Sequence, residues 1–138
     1  EYLPEGVSYT EAMEVNQDAW SYISDDVEMT DRDFEILESL YHAEIAYLDE
    51  RIGELRQLLE ETGEWEDTIF VVTGDHGENI GDHELMDHQY SLHDTLIHVP
   101  LVIHGGAFTG GETVNEFVQL TDIAPTLLDA AGIDSDEF

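Results

Sequence analysis

Residues 68–79 read Thr-Ile-Phe-Val-Val-Thr-Gly-Asp-His-Gly-Glu-Asn. β-Branched and aromatic side chains fill positions 69–72 without alternation, which is typical of a strand covered on both faces in an α/β protein. Gly74 and Gly77 indicate a turn after it. Asp75 and His76 are therefore expected just past the carboxyl end of the strand, the edge where open α/β sheets bind ligands. A carboxylate beside an imidazole can hold a divalent metal, and the alternative is that the two residues only cap the next turn.

The segments on either side of this stretch predict a mixed α/β chain. Apolar residues at helical spacing over 30–62, with Thr30 as the N-cap and Gly63 as the stop, predict a long amphipathic helix. Residues 91–97 suit a short helix, and 99–104 a second buried strand. Residues 113–119 give a weaker strand pattern, and 122–131 predict a helix that is capped by Thr121 or Asp122 and tolerates Pro125 in its first turn. These elements amount to half of an α/β/α sandwich.

The length of 138 residues and the hydrophobic content of 41% suit one domain with a modest core. Residues 1–29 are predicted to be an acidic, irregular segment with a short helix opened by Ser8, and residues 30–138 to be a single α/β domain. Neither a membrane span nor a signal peptide is expected in this sequence. The absence of cysteine excludes disulfides and thiolate metal sites.

Charge is the strongest compositional feature. Asp and Glu number 34 against three Arg and no Lys, which gives a formal net charge of -31. Nucleic-acid binding is thereby disfavoured. The retained helical periods and apolar strands place the acids on the surface of a folded domain, and molar salt would screen their repulsion. We expect a halophilic source; the alternative is an acidic protein that binds cations or basic partners.

Acidic and imidazole side chains cluster after the first strand. Metal-assisted hydrolysis is the natural reading of such a set of hard and borderline ligands. No nucleophile elbow and no glycine-rich phosphate loop is found, and a metal needs more ligands than this loop clearly supplies. The cluster consists of Asp75, His76, Asp82, His83, Asp87 and His88.

Two motifs in this chain resemble the carboxyl-terminal half of the sulfatase family. The first is Val-Val-Thr-Gly-Asp-His-Gly-Glu-Asn-Ile-Gly-Asp-His at 71–83, with His88 and the apolar strand after it. The second is Asp-Ile-Ala-Pro-Thr-Leu-Leu at 122–128. The resemblance runs from about Tyr41 to Ile133 and implies the alkaline phosphatase-like α/β fold. The wider group includes phosphonate and phosphodiester hydrolases.

The resemblance implies roles for individual residues. Asp75 and His76 match the family's second pair of metal ligands. His88 matches a Lys or His that contacts the substrate anion or protonates the leaving oxygen. His83 falls in the family's Gly-Asp/Glu-His segment and is expected to be a pocket residue, with structural support as the alternative. The remaining histidines have no matching position and are expected to be buried and hydrogen-bonded or on the surface: His42, His93, His98 and His104.

The chain also departs from the family pattern. Sulfatases carry an Asp-Asp metal pair and a Cys- or Ser-x-Pro-x-Arg motif, matured to formylglycine, and this sequence contains neither. We therefore expect a carboxyl-terminal fragment of a metal-dependent hydrolase of sulfate esters, inactive alone, with formylglycine in the missing half. In the complete enzyme the aldehyde hydrate would attack sulfur. Calcium is the preferred metal, and manganese or magnesium is the second choice.

Two alternatives to a sulfatase also fit the sequence. One is a phosphoester or phosphonate hydrolase of the same superfamily, because an Asp-His pair serves either tetrahedral anion. The other is a non-catalytic acidic module that binds cations or a partner. The expected partner of the enzyme is a small-molecule sulfate ester, and an incomplete sheet predicts a homodimer of the fragment. The sequence does not distinguish a cytoplasmic from a secreted protein.

Overall fold

The computed structural model describes residues 2–133, in which helices and strands are interspersed. This mixture confirms the predicted α/β class. The chain forms two compact units. The first comprises the residues up to Leu55 together with His76–Val99, and the second comprises Arg56–Asp75 together with the residues from Pro100 onward. No helix in this part of the chain combines the length and the apolar character that a membrane span requires.

Side-chain caps start the helices of the first unit. Helix α1 (Tyr9–Glu14) begins after Ser8, whose hydroxyl accepts a hydrogen bond from the Glu11 N–H at 3.2 Å. This cap confirms the prediction from the sequence. Helix α2 (Ala19–Ile23) was not predicted; the Asp18 carboxylate caps it by accepting from the Trp20 N–H.

Helix α3 (Asp31–Thr62) matches the prediction within one residue. Thr30 and Asp33 form a reciprocal cap, because the Asp33 N–H donates to the Thr30 hydroxyl while the Thr30 N–H donates to the Asp33 carboxylate at 2.8 Å. These contacts lower the pKa of Asp33, first through the backbone N–H of Thr30 and then through its hydroxyl. The helix ends at Gly63, whose φ of +79° suits glycine.

The core of the first unit is small and is made of apolar side chains from helices and short strands. Strand β2 (Asn79–Ile80) pairs antiparallel with β3 (Met86–Asp87), and helix α4 (Asp94–Ile97) follows. Asn79 is buried in this unit beside the apolar core. The buried apolar residues are Ala12, Ala19, Ile36, Met86 and Leu96.

The second unit contains the longer strand pair. Strand β1 (Phe70–Thr73) pairs antiparallel with β4 (Leu101–His104), so that Phe70 lies opposite His104 and Thr73 opposite Leu101. The Trp65 ring stacks on His104 at a centroid distance of 4.9 Å. Both predicted strands are present, but neither contains a fully buried residue. The expectation of strands covered on both faces was wrong, because Val102 on β4 is 59% exposed.

The strand predicted at 113–119 is absent from the structure. This segment is irregular, and the Val114, Phe117 and Val118 side chains are exposed. Its apolar alternation resembles a half-buried strand, but a strand needs a ladder partner, and none pairs with it in the part of the chain that is described. The prediction was therefore wrong here.

Helix α5 (Ile123–Ala130) confirms the last predicted helix and carries Pro125 in its first turn. Its predicted cap differs from the observed one. The Asp122 carboxylate accepts a hydrogen bond from the Gln119 N–H at 2.8 Å and so closes the 3₁₀ turn Leu120–Asp122 that leads into the helix. Gly132 follows the helix with φ +71°.

Candidate active site

Asp75 and His76 follow β1 after a single glycine, as the sequence predicted, and both side chains are exposed. Both also take part in interactions within the molecule. The chain then runs into β2 and not into a helix. His76 Nδ1 lies 2.9 Å from the carbonyl oxygen of Gly77. A carbonyl can only accept, so Nδ1 is the donor in this contact.

The β2–β3 pair brings three further side chains close together. Asn79 lies opposite Asp87, so the residues that flank this pair, Glu78 and His88, meet although ten positions separate them in sequence. One ligand-type atom from each of Glu78, Asp87 and His88 lies within 4.8 Å of the other two. The strand register therefore builds a cluster of two carboxylates and an imidazole.

His88 is held by these carboxylates through one side of its ring. Its Nδ1 lies 2.6 Å from Asp87 Oδ1 and 3.3 Å from Glu78 Oε2. Its backbone N–H also donates to Asp87 Oδ1. Because ionised carboxylates only accept, Nδ1 is the donor to them. Nε2 is the nitrogen on the opposite side of the ring, where it can act on another group.

The His76 and His88 rings stack on each other. Their centroids are 4.0 Å apart and their planes differ by 19°. The residue predicted to bind metal and the residue predicted to contact the substrate are thus neighbours in the first unit. The sequence suggested both residues but not their contact.

Asn79 lies beneath this cluster and is 2% exposed. Its Nδ2 donates to the Asp87 carbonyl at 3.2 Å, and its Oδ1 accepts from the Thr95 hydroxyl at 2.6 Å. Asp87 has a φ of +69°, a left-handed conformation that is uncommon for an aspartate. The Asn79 amide therefore donates a hydrogen bond to the carbonyl of Asp87, whose backbone conformation the two-residue ladder alone does not favour.

Helix α4 holds the segment between His76 and Asn79. The Gly77 N–H donates to the Leu96 carbonyl at 2.8 Å, and the Glu78 N–H donates to the Thr95 carbonyl at 3.1 Å. The two backbones approach so closely that a Cβ added to Gly77 would lie 1.9 Å from the Thr95 carbonyl oxygen. Only glycine fits at this position.

His83 lies apart from the His76–His88 pair. It is exposed in the 3₁₀ turn Asp82–Glu84, has a φ of 55°, and stacks on His93 at a centroid distance of 3.7 Å. His93 had no predicted partner. The four histidines therefore form two stacked pairs, His76–His88 and His83–His93, and the predicted pocket residue His83 belongs to the second pair.

An open groove of about 440 Å³ lies between the first turns of α3 and the β2 region in the first unit. Its lining is acidic, with Phe34 and Tyr41 among the carboxylates. An anionic ligand would be repelled from such a lining. The groove is therefore unsuited to a sulfate or phosphate group. Its carboxylates belong to Asp31, Glu35, Glu38, Glu78 and Asp82.

Sequence reasoning assigned no role to Glu78, Asn79 or Thr95. Helical or strand periodicity carries no information about these contacts, because they join residues 8 to 16 positions apart. The signal that was available is the Asn directly after Gly-Glu in a loop that otherwise carries ligand-type residues. An amide there indicates a buried hydrogen-bonding site only once the β2–β3 register is known.

The chain is similar to known proteins in sequence and in fold. The sequence profile of the sulfatase family matches residues 12–133. Arylsulfatase K of Bos taurus is 35% identical over 104 residues, which are 75% of this chain and 19% of that protein. The chain thus spans about a fifth of the length of this relative.

Solved structures agree with this match. The phosphonate monoester hydrolase of Silicibacter pomeroyi has a TM-score of 0.74 and 34% identity, covering 80% of this chain and 22% of its own. A protein solved in complex with its substrate D-glucosamine-2-N,6-O-disulfate has a TM-score of 0.70 and 29% identity, covering 96% of this chain and 28% of its own. Both support the alkaline phosphatase-like α/β fold that the sequence motifs predicted.

Proposed function

Because the chain belongs to the sulfatase family, we propose that the full-length protein that contains it is a metal-dependent hydrolase of sulfate esters. The observation that carries this proposal is the stacked His76–His88 pair, in which two residues at family motif positions come into contact beside two carboxylates. That the chain is a domain of a hydrolase family follows from the family membership itself.

Asp75 and His76 are the residues that would hold the metal. The fit is supported by the donor set, since a carboxylate and a neutral imidazole both bind divalent cations. The Gly77 carbonyl beside His76 Nδ1 is the kind of outer contact that fixes the tautomer of a metal-binding histidine. Calcium is our first choice and manganese or magnesium the second. When bound, the metal would supply positive charge that stabilises the anionic ester.

His88 would act on the leaving oxygen. Its Nδ1–H is held by Asp87 and Glu78, so Nε2 is the atom that would contact the substrate anion, and it would donate a proton to the leaving oxygen when the ring is doubly protonated. Proton donation matters most where negative charge grows on a poor leaving group in the transition state. The carboxylates orient the ring by hydrogen bonding while its other nitrogen does the chemistry.

The nucleophile would come from outside these 138 residues. No Cys- or Ser-x-Pro-x-Arg motif is present, and the chain corresponds to 19% of arylsulfatase K. We propose that this sequence is the carboxyl-terminal part of the enzyme, that formylglycine in another part supplies the nucleophile, and that the 138 residues alone are inactive.

A phosphonate or phosphoester hydrolase is the second candidate. It is favoured by the similarity to the Silicibacter pomeroyi enzyme, which is a phosphonate monoester hydrolase. The Asp75–His76 pair suits either tetrahedral anion. The sulfate reading is preferred because of the arylsulfatase K relatives and the substrate-bound disulfate complex.

Kinetics of the full-length protein test the proposal. We expect turnover of 4-nitrophenyl sulfate to exceed that of a 4-nitrophenyl phosphonate monoester. Asp75→Ala and His76→Ala should each lower kcat/KM by about 10²-fold or more, because each removes charge stabilisation in the transition state. The matched control is His98→Ala, an exposed histidine with no assigned role. Unchanged turnover in the two variants would contradict the metal assignment, and preference for the phosphonate would favour the second candidate.

A further inference from the structure

The hydrogen-bond network beneath the His76–His88 pair suggests a role for a residue without any assigned chemistry. We infer that Asn79, oriented by Thr95, is a positioning residue that sets His88 against His76 for protonation of the leaving group. The inference rests on the proposed function of His88.

The geometry begins with the peptide between Asp87 and His88. The Asn79 Nδ2 donates to the carbonyl oxygen of this peptide at 3.2 Å. The direction of that carbonyl fixes the plane of the peptide and hence where the His88 Cα lies. Asp87 has a φ of +69°, so this peptide plane would relax toward a more common conformation without the amide contact.

Thr95 determines which way the amide faces. Its hydroxyl donates to Asn79 Oδ1 at 2.6 Å, which leaves the amide NH₂ directed at the Asp87 carbonyl. The same residue accepts the Glu78 N–H through its backbone carbonyl. Thr95 therefore holds both the backbone of Glu78, whose carboxylate contacts His88 Nδ1, and the Asn79 amide that donates to the Asp87 carbonyl.

Burial gives this network its strength. Asn79 is 2% exposed, so water cannot replace a lost partner at low cost. His88 itself is exposed and is attached to a strand of two residues. Its position therefore depends on the buried Asn79 and Thr95 contacts as well as on its own contacts with Asp87, Glu78 and His76.

Kinetics with two leaving groups separate positioning from general stability. In the full-length protein, Asn79→Asp removes the N–H donor and keeps the acceptor, while Thr95→Val removes the hydroxyl. We expect both variants to lose about tenfold more kcat/KM on phenyl sulfate than on 4-nitrophenyl sulfate, because the poor leaving group depends more on proton donation. Thr95→Ser should restore the wild-type ratio, and Thr62→Val is the matched control in α3. A fall that is equal for both substrates would overturn the inference, since unfolding affects them equally.

A second measurement is independent of turnover. In the full-length protein at molar KCl, the histidine Hε1 resonances of His76 and His88 should be shifted upfield by their mutual stacking. Thr95→Val should remove that shift and leave the stacked His83–His93 pair unchanged as an internal control. Unaltered His76 and His88 shifts in the variant, or no upfield shift in the wild type, would overturn the inference. An inactive wild-type enzyme whose ring shifts respond as expected would instead refute the proposed function and retain the positioning.

Discussion

Strand β1 pairs with β4 over four residues, whereas β2 pairs with β3 over two. The longer pair has no fully buried residue, and the Trp65 ring stacks on its His104. The shorter pair contains buried Met86 and buried Asn79, and the Asn79 side chain adds hydrogen bonds that the ladder lacks. The candidate active site is therefore built on the pair with fewer backbone hydrogen bonds. That pair should therefore be the more sensitive to single side-chain changes.

The largest expected effect is the loss of both strand pairs together on removal of salt. With a net charge of -31, lowering KCl from molar concentrations to about 10 mM lengthens the Debye length from about 3 Å to about 30 Å. Repulsion among the surface carboxylates should then unfold the chain. Circular dichroism during a KCl titration measures this. A chain that keeps its helical signal at low salt would contradict the proposed halophilic character.

Substitution of a close-contact glycine gives the next largest effect and compares the two pairs directly. A Cβ on Gly77 would lie 1.9 Å from the Thr95 carbonyl oxygen, and one on Gly105 would lie 2.1 Å from the Thr68 carbonyl oxygen. We expect Gly77→Ala and Gly105→Ala each to lower the free energy of unfolding by about 3 kcal/mol.

Only Gly77→Ala should also displace the His76 ring from His88, as read from their proton shifts. Gly53→Ala is the control, because its Cβ would meet open space on α3 and should stabilise the helix by about 0.5–1 kcal/mol. If Gly77→Ala and Gly105→Ala displace the His76 and His88 rings equally, the two strand pairs do not differ in their effect on the site.

Truncation of one side chain in each strand pair compares how strongly the stability of each pair depends on a single residue. Asn79→Ala leaves the Asp87 carbonyl and the Thr95 hydroxyl without their partner, so it should cost about 2 kcal/mol. Val102→Ala on the exposed face of β4 should cost about 0.5 kcal/mol or less. Chemical denaturation at fixed molar KCl measures both. A larger cost at Val102 would mean that the longer pair is the more fragile one.

The last predicted effect is smaller than that of Asn79→Ala and lies outside both strand pairs, at the start of α3. Since the Thr30 N–H and hydroxyl lower the pKa of Asp33, its carboxylate stabilises the fold above the ordinary pKa of 3.8, and this stabilisation is lost as the pH falls through the lowered value. Asp33→Asn should therefore cost about 1 kcal/mol at pH 7 and progressively less below pH 3.8. Thermal unfolding at several pH values checks this, and a pH-independent difference would contradict it.

The features that depend on neighbouring residues were predictable from the sequence. The caps at Ser8 and Thr30, the end of α3 at Gly63 and the helix around Pro125 were predictable because helix ends depend on side chains within three or four positions. The strands near β1 and β4 and the placement of Asp75 and His76 after β1 followed from an apolar run and its turn residues. The family resemblance was likewise contained in two local motifs, and the family profile confirms it.

Which segments pair with one another depends on the folded structure. Residues 113–119 have a strand pattern without a ladder partner in the described chain, whereas residues 79–80 and 86–87 have a weak pattern and do pair. The stacking of His88 on His76 and the hydrogen bond from Asn79 to the Asp87 carbonyl depend on that pairing. Side-chain periodicity reports which face of a segment is apolar, but the contact of residues 8 to 16 positions apart depends on the register and packing of the whole unit.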